Sequence, residues 1–126
     1  MKAWILFVMA VSATLSSNRG FADVTDGNAL LKQCDAAVKY LDEKSPKASI
    51  ADAMYCFGLV TGVMNTLATY GRQLPKAEGT CFPSEGISTS QAVRIVAKSI
   101  RDAPESLHLP GSVLAIVAFN QAYPCK

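Results

Sequence analysis

Four cysteines constrain this chain of 126 residues more than any other feature of its sequence. They lie at Cys34, Cys56, Cys81 and Cys125, and no two of them form the close C-x-x-C pair that is typical of a zinc site. A single histidine, His108, is present to complete such a site. An even number of widely spaced cysteines in an oxidising compartment indicates disulfides, so we expect two bridges and no bound metal.

The first 22 residues have the pattern of a secretory signal peptide. A lysine near the start is followed by nine apolar residues, Ala3 to Val11, and Gly20-Phe21-Ala22 places small residues before a cut at Asp23. The apolar run is much shorter than the ~20 residues that span a bilayer, which argues against a membrane anchor. We therefore expect export, cleavage near Ala22 and a single mature domain over residues 23–126.

The charge balance of the mature chain argues against a nucleic-acid partner. The signal peptide contains Lys2 and Arg19 and no acidic residue, so ten of the 12 basic residues remain against ten acidic ones. This chain is formally neutral, and no cluster of lysines or arginines offers the basic patch that binding to phosphates requires.

Hydrophobic periodicity predicts two helices in the first half of the mature domain. They cover residues 28–43, with Asp26 as N-cap, and residues 50–70, with Ser49 as N-cap. Gly71 suits the C′ position that ends the second helix. The residues expected to face the core are Leu30, Cys34, Ala37, Leu41, Cys56, Val60, Val63, Leu67 and Tyr70.

Capping signals predict two further helices, which complete an all-α bundle of about four helices. Ser88-Thr89-Ser90-Gln91 is a capping box that begins the third helix, and this helix ends before Pro104. Pro110 suits the first turn of the fourth. The expected core residues are Val93, Val96, Ile100, Val113, Leu114, Val117 and Ala118, with Phe119 and Tyr123 closing the last helix.

The second helix carries no charge from Ala53 to Gly71, so a membrane span is one interpretation of it. A polar residue at every fourth position argues against this, since a lipid-facing helix would not carry a polar stripe made of Thr61, Asn65 and Thr69. Gly58 and Gly62 lie near that stripe. Small residues at this spacing permit a neighbouring helix to pack closely, and we do not expect membrane contact after signal cleavage.

Helix geometry selects one of the three possible disulfide pairings. The first two helices are joined near Pro46 and form a helical hairpin, in which Cys34 and Cys56 lie at nearly the same height. The last two helices form a second hairpin, and Cys81 and Cys125 both lie at its open end. We therefore predict the bridges Cys34–Cys56 and Cys81–Cys125, one within each hairpin.

The sequence lacks a recognisable catalytic apparatus. A Ser-His or Cys-His pair would need His108, which lies beside Leu107, Leu109 and Pro110 where a helix is expected to begin. We interpret it as a packing residue rather than a catalytic one. No glycine-rich loop has phosphate-binding spacing, so we predict neither enzymatic activity nor a cofactor.

Several motifs, taken in order, resemble the Rap/Tai family of immunity proteins from bacterial type VI secretion. The motifs are Gly27-Asn28-x-Leu30-Leu31-x-x-Cys34, Tyr55-Cys56-Phe57-Gly58-Leu59-Val60-Thr61-Gly62-Val63, Cys81-Phe82-Pro83-x-x-Gly86-Ile87-Ser88-x-x-Gln91, Val96-x-Lys98, Pro104-Glu105-x-x-His108-Leu109-Pro110 and Ala122-Tyr123-Pro124-Cys125-Lys126. The resemblance covers nearly all of the mature chain. It implies a small periplasmic helical protein that binds a peptidoglycan amidase effector and blocks its active-site groove, in a family whose members often form homodimers.

A long loop between the second and third helices is the expected contact surface. Residues 72–87 are rich in turn signals, and Cys81 tethers the middle of the loop, which lowers the entropy lost on binding. We predict that the partner-binding residues are Arg72, Gln73, Lys76, Glu78 and Glu85, with a contribution from the polar stripe of the second helix. An ordinary connecting loop is the alternative.

Two other functions remain open at this point. A periplasmic chaperone-like or envelope-stress protein of the same fold would bind unfolded clients through exposed apolar surface. An enzyme that uses His108 is the third hypothesis, and we consider it the weakest.

Overall fold

The computed structural model describes residues 25–43 and 49–126, so the predicted signal peptide lies outside the described residues. Within those ranges the chain forms four α-helices and no β-strand. They are α1 (Gly27–Asp42), α2 (Ile50–Tyr70), α3 (Thr89–Asp102) and α4 (Gly111–Ala122), with short 3-10 turns at Gly71–Gln73 and Pro104–Ser106. The predicted all-α fold with two disulfides is confirmed.

Side-chain caps begin three of the four helices, as their sequences predict. The Asp26 carboxylate accepts a hydrogen bond from the Ala29 amide at 2.9 Å, which begins α1. The hydroxyls of Ser49 and Ser88 do the same for α2 and α3, at 3.2 and 3.1 Å. Each cap satisfies an amide that has no partner inside its helix, so these short polar motifs fix where the helices start.

Gly71 directly follows α2, as expected, but the C′ interpretation of this glycine is wrong. Its φ of −60° is right-handed, and the chain continues into a 3-10 turn rather than the left-handed conformation of a C′ glycine. A Cβ atom at this position would lie 3.0 Å from the Thr80 carbonyl oxygen. Glycine is needed here because two backbone segments approach each other closely.

The core forms between the inner faces of all four helices. The largest side chains with almost no exposure are Phe119, Leu30, Ile100, Val60, Val93 and Val96. On α4 the predicted face is partly wrong, since Val113 and Val117 are 42% and 40% exposed while Ala115 and Phe119 are buried. Every side of α4 is largely apolar, so its periodicity could not select the buried face. Tyr70, at the end of α2, is also exposed rather than buried.

Helix α1 crosses the first two turns of α2. Residues from both ends of α1 contact the same short segment of α2, Asp52–Phe57. The hydroxyl of Thr25, just before α1, lies 2.6 Å from the Tyr55 hydroxyl. Near the other end of α1, the centres of the Tyr40 and Phe57 rings are 6.2 Å apart. The Cys34–Cys56 disulfide lies at this crossing, with both residues fully buried and their Cα atoms 5.1 Å apart.

Helix α3 runs antiparallel to α1 and is linked to it by two ion pairs. Arg94 contacts Asp42 at 2.6 Å, and one to two turns further along α3, Arg101 contacts Asp35. The beginnings of α1 and α4 lie together, because the Gly27 amide donates to the Leu109 carbonyl and the Gly111 amide donates to the Thr25 carbonyl, at 3.0 and 2.7 Å. These contacts close the bundle.

The outer side of α2 remains open. By length and composition alone, Ile50–Gln73 is the one segment in the described ranges that could cross a membrane, with a mean hydropathy of 1.3. Within the fold, α2 packs on the other helices and is cross-linked to α1, yet only 22% of its most apolar window is buried. An uncharged helix surface of this size is therefore available to a partner.

The Asp42–Arg94 pair makes a prediction about pH. The hydrogen bond and charge of Arg94 hold the pKa of the Asp42 carboxyl below its ordinary value of 3.8. Because the folded pKa is depressed, the pair stabilises the fold above the unfolded pKa of about 4, and this contribution is lost as the pH falls through the folded pKa. We expect an NMR titration of Asp42 to give a midpoint below 3.8 that rises in Arg94→Gln. A midpoint unchanged by this substitution would contradict the assignment, and added salt provides an independent control because it screens the exposed pair.

Candidate partner-binding site

The loop between α2 and α3 is fastened to the end of α4 by several contacts. The Cys81–Cys125 disulfide joins them covalently, and the Cys81 amide donates to the Tyr123 carbonyl at 2.9 Å. The Phe82 ring packs edge-on against the fully buried Phe119 at 5.5 Å and lies 5.4 Å from the Tyr123 ring. A loop held by covalent, polar and aromatic contacts loses little entropy when a partner binds it.

A partly buried polar cluster fixes the approach to Cys81. Thr80 is 1% exposed, and its hydroxyl donates to the Asn120 side-chain oxygen, while the Asn120 side-chain nitrogen donates to the Glu78 carbonyl at 3.1 Å. Both polar ends of one amide are thereby used to hold two loop residues. Since a buried polar group without a partner destabilises a fold, this arrangement selects one loop conformation.

The base of the loop is closed by two facing glycines. A Cβ atom on Gly79 would lie 3.0 Å from the Gly71 carbonyl oxygen and equally close to the Cys125 sulfur. Gly71 in turn lies against the backbone of Thr80. The two chain segments can approach this closely only without side chains, so residues 72–78 project as a compact closed loop.

A groove of about 440 Å³ lies between α2 and this loop. One wall consists of Met64, Asn65 and Ala68 on α2 together with Arg72 just beyond it. The opposite wall is formed by the loop residues Thr80, Phe82, Pro83, Ser84, Gly86 and Ile87. Its lining mixes apolar and polar groups, and Arg72 is the one charged side chain among the described residues that line it.

The structure places the five predicted partner-binding residues on the surface, but it does not bring all of them into the groove. Arg72 lines the groove, whereas Gln73, Lys76 and Glu78 are exposed on the projecting loop. Glu85 is also exposed, and hydrogen bonds from its own amide and from the Ser84 hydroxyl lower the pKa of its carboxyl. Their role in binding stays a prediction.

Sequence analysis missed the residues that shape the site. Asn120 holds the loop and Met64, Ala68 and Phe82 line the groove, yet none of them was singled out as a site residue. Asn120 was detectable as a polar side chain beside Phe119 in a mainly apolar helix. Of the polar stripe on α2, Asn65 lines the groove, while the Thr69 hydroxyl donates to the Asn65 carbonyl within the helix.

A second surface lies where α2 faces α4. An added Cβ on Gly58 or Gly62 would meet no atom within 4 Å outside its own stretch of helix, so close packing at these glycines does not occur among the described residues. A shallow depression next to them is lined by Leu59, Val63, Thr66 and Ile116. We call this surface, centred on Gly58, Gly62 and Ile116, the glycine face; it carries no charged residue among those that line it.

The described residues contain no assembled metal site. All four cysteines are paired in disulfides, and no group of His, Cys, Asp or Glu in residues 25–43 and 49–126 is arranged to hold a metal ion. His108 is exposed, and its Nδ1 atom lies 3.1 Å from the Glu105 carbonyl oxygen of the preceding turn. This contact orders the turn before α4.

Comparison with known proteins identifies one family. The family model described as "Rap1a immunity proteins" matches residues 26–125, which include all four helices and both disulfides. Comparisons with curated proteins and with solved structures gave no significant match.

The loop tether makes a stability prediction. The Cys81–Cys125 bridge spans a sequence separation of 44 residues, so the combined substitutions Cys81→Ser and Cys125→Ser should lower the free energy of unfolding by about 3 to 4 kcal/mol. Urea denaturation measures this loss. Hydrogen exchange at the Cys81 amide should also become faster than at amides in α1, which the bridge does not touch. An unchanged denaturation midpoint would show that the other contacts alone hold the loop.

Proposed function

Because the chain belongs to the Rap1a immunity protein family, we propose that it is a periplasmic protein that binds and inhibits a peptidoglycan amidase effector of type VI secretion. Family membership supports the role of an immunity protein against a secreted effector. The amidase target and the periplasmic location are the further steps, and they rest on the motifs around Cys34, Cys56, Cys81 and Cys125.

The observation that carries this proposal is the fastened loop between α2 and α3. Its projecting residues Arg72, Gln73, Lys76 and Glu78 are exposed, while the residues beneath them are held by a disulfide, the side-chain amide of Asn120 and two aromatic contacts. A rigid, polar projection can occupy an enzyme's groove without itself being ordered on binding. Inhibition by occlusion requires no catalytic group on the inhibitor.

Export fits the same proposal. An amidase that cuts peptidoglycan acts outside the cytoplasm, and both disulfides of this chain need an oxidising compartment to persist. We propose that residues 1–22 are removed as a signal peptide and that residues 23–126 are the working immunity domain.

The test is to combine the mature protein with the amidase encoded beside its gene. The protein is purified from the periplasmic fraction, where its mass should correspond to a chain that begins at Asp23. We expect a stable complex and loss of peptidoglycan hydrolysis at equimolar ratio, measured by isothermal titration calorimetry and by release of soluble muropeptides. Absence of both binding and inhibition would reject the proposal.

Two controls separate this role from the alternatives. His108→Ala should inhibit as well as the unchanged protein, because His108 is exposed and its hydrogen bond is to Glu105 of its own turn. A chemically unfolded client protein tests the chaperone-like function, for which the exposed apolar residues of α2 and α4 are the motivating observation. Suppression of client aggregation without amidase inhibition would favour that second function.

We further propose that the protein forms a homodimer through the glycine face. Gly58 and Gly62 leave this part of α2 open to close approach, and Ile116 of α4 exposes an apolar side chain beside them. Neither α4 nor the part of α2 from Ala53 onwards carries a charge. A second copy would bury this surface symmetrically, since a two-fold interface applies the same patch twice.

Gly62→Arg tests the dimer. Arginine is a better helix former than glycine, and no neighbouring atom of the described chain obstructs it, so the variant should fold while placing a charge in the proposed interface. Sedimentation equilibrium should show a dimer for the unchanged protein and a monomer for the variant. Ser90→Arg, on the exposed start of α3, is the matched control and should remain dimeric. A monomeric unchanged protein would reject the dimer without affecting the immunity role.

A further inference from the structure

We infer that the groove between α2 and the fastened loop receives a surface segment of the effector in which a carboxylate side chain lies next to an apolar one. This inference rests on the proposed immunity function and names the chemistry that the partner presents at one part of the interface. It assigns the groove a role in addition to that of the projecting loop: the two surfaces share Arg72, but Gln73, Lys76 and Glu78 are not part of the groove lining.

The walls of the groove are preformed. Phe82 is held between Phe119 and Tyr123, the preceding residue is Cys81 in its disulfide, and the following residue is the conformationally restricted Pro83. The opposite wall belongs to the last two turns of α2 and therefore has the rigidity of a helix. A partner segment that enters this space does not have to order it first.

The apolar residues that line the groove indicate that the partner segment carries an apolar side chain. Met64, Phe82, Pro83 and Ile87 are each partly exposed in the groove, and Ala68 leaves room between them. An apolar side chain inserted among these residues would remove its own surface and theirs from water.

The charge of Arg72 indicates that the partner segment also carries a carboxylate. The other two arginines among the described residues pair with carboxylates, Arg94 with Asp42 and Arg101 with Asp35. Arg72 lies within 4.0 Å of no carboxylate in residues 25–43 and 49–126, although it borders a groove that is partly apolar. Its guanidinium group is shaped to bind a carboxylate through two parallel hydrogen bonds, and this charge complementarity selects an acidic partner segment.

A larger depression lies between α3 and α4. It measures about 570 Å³ and is lined by Lys98, Asp102 and Glu105, of which Lys98 and Asp102 already form an ion pair. The charge left unmatched there among the described residues is the Glu105 carboxylate, which would attract a basic segment. The groove beside Arg72 has an unmatched charge of the opposite sign, so the two sites favour partner segments of opposite charge.

The experiment measures binding of the neighbouring amidase to three single variants by isothermal titration calorimetry. Arg72→Gln should weaken the complex about 10- to 100-fold and reduce the dependence of Kd on salt, since a charged hydrogen-bonded contact is lost. Ala68→Trp should weaken binding to a similar extent with an unchanged salt dependence, because it fills the groove and removes no charge. Ala68 is exposed, so circular dichroism should show an unchanged fold.

Lys39→Gln is the matched control, because it removes one exposed positive charge from α1, outside the groove, and should bind as the unchanged protein does. Equal affinity of Arg72→Gln and Ala68→Trp with the unchanged protein would overturn the inference while leaving the immunity function intact. A change of sedimentation behaviour without a change in amidase affinity would assign the groove to a second copy and would also overturn it. If the unchanged protein fails to bind the amidase, the proposed function fails and the inference with it.

Discussion

The covalent crossing of α1 and α2 is the contact on which the rest of the fold depends. Cys34 and Cys56 are both fully buried, and the bridge between them joins α1 and α2 inside the core. Because a domain of about 100 residues has a marginal core, a cross-link inside it stabilises the packing of the helices around it. The crossing also directs the far half of α2 away from α1, where it forms one wall of the groove.

Local signals predicted where the helices begin, because a capping side chain acts within three residues. Asp26, Ser49 and Ser88 each cap a helix at the expected place. The buried side of α4 was not predictable in the same way. An apolar helix presents similar residues all round, and only tertiary packing decided that Phe119 faces the core while Val117 faces outward.

The candidate site was harder to predict than the fold for a related reason. The loop between α2 and α3 could be predicted as a contact surface from its length, its turn residues and its cysteine. The groove beside it depends on contacts between residues far apart in sequence. Asn120 reaches Glu78 and Thr80 across about 40 positions, and Phe82 packs on Phe119 at the far end of the chain. Such pairings leave no local pattern. The sequence also does not reveal whether Arg72 forms an ion pair. That it forms none with the described residues became visible only when the ion pairs of the helices were located.

The order of the cysteines along the chain has a consequence for how the protein matures. Each disulfide joins two cysteines that are consecutive in sequence, Cys34 with Cys56 and then Cys81 with Cys125. A chain that crosses a membrane from its N-terminus presents them in that order, so an oxidase that joins each new thiol to the last free one produces the native connectivity without reshuffling. Cys125 lies beyond α4, so in such a chain the loop that carries the proposed contact surface is locked only after α4 has emerged.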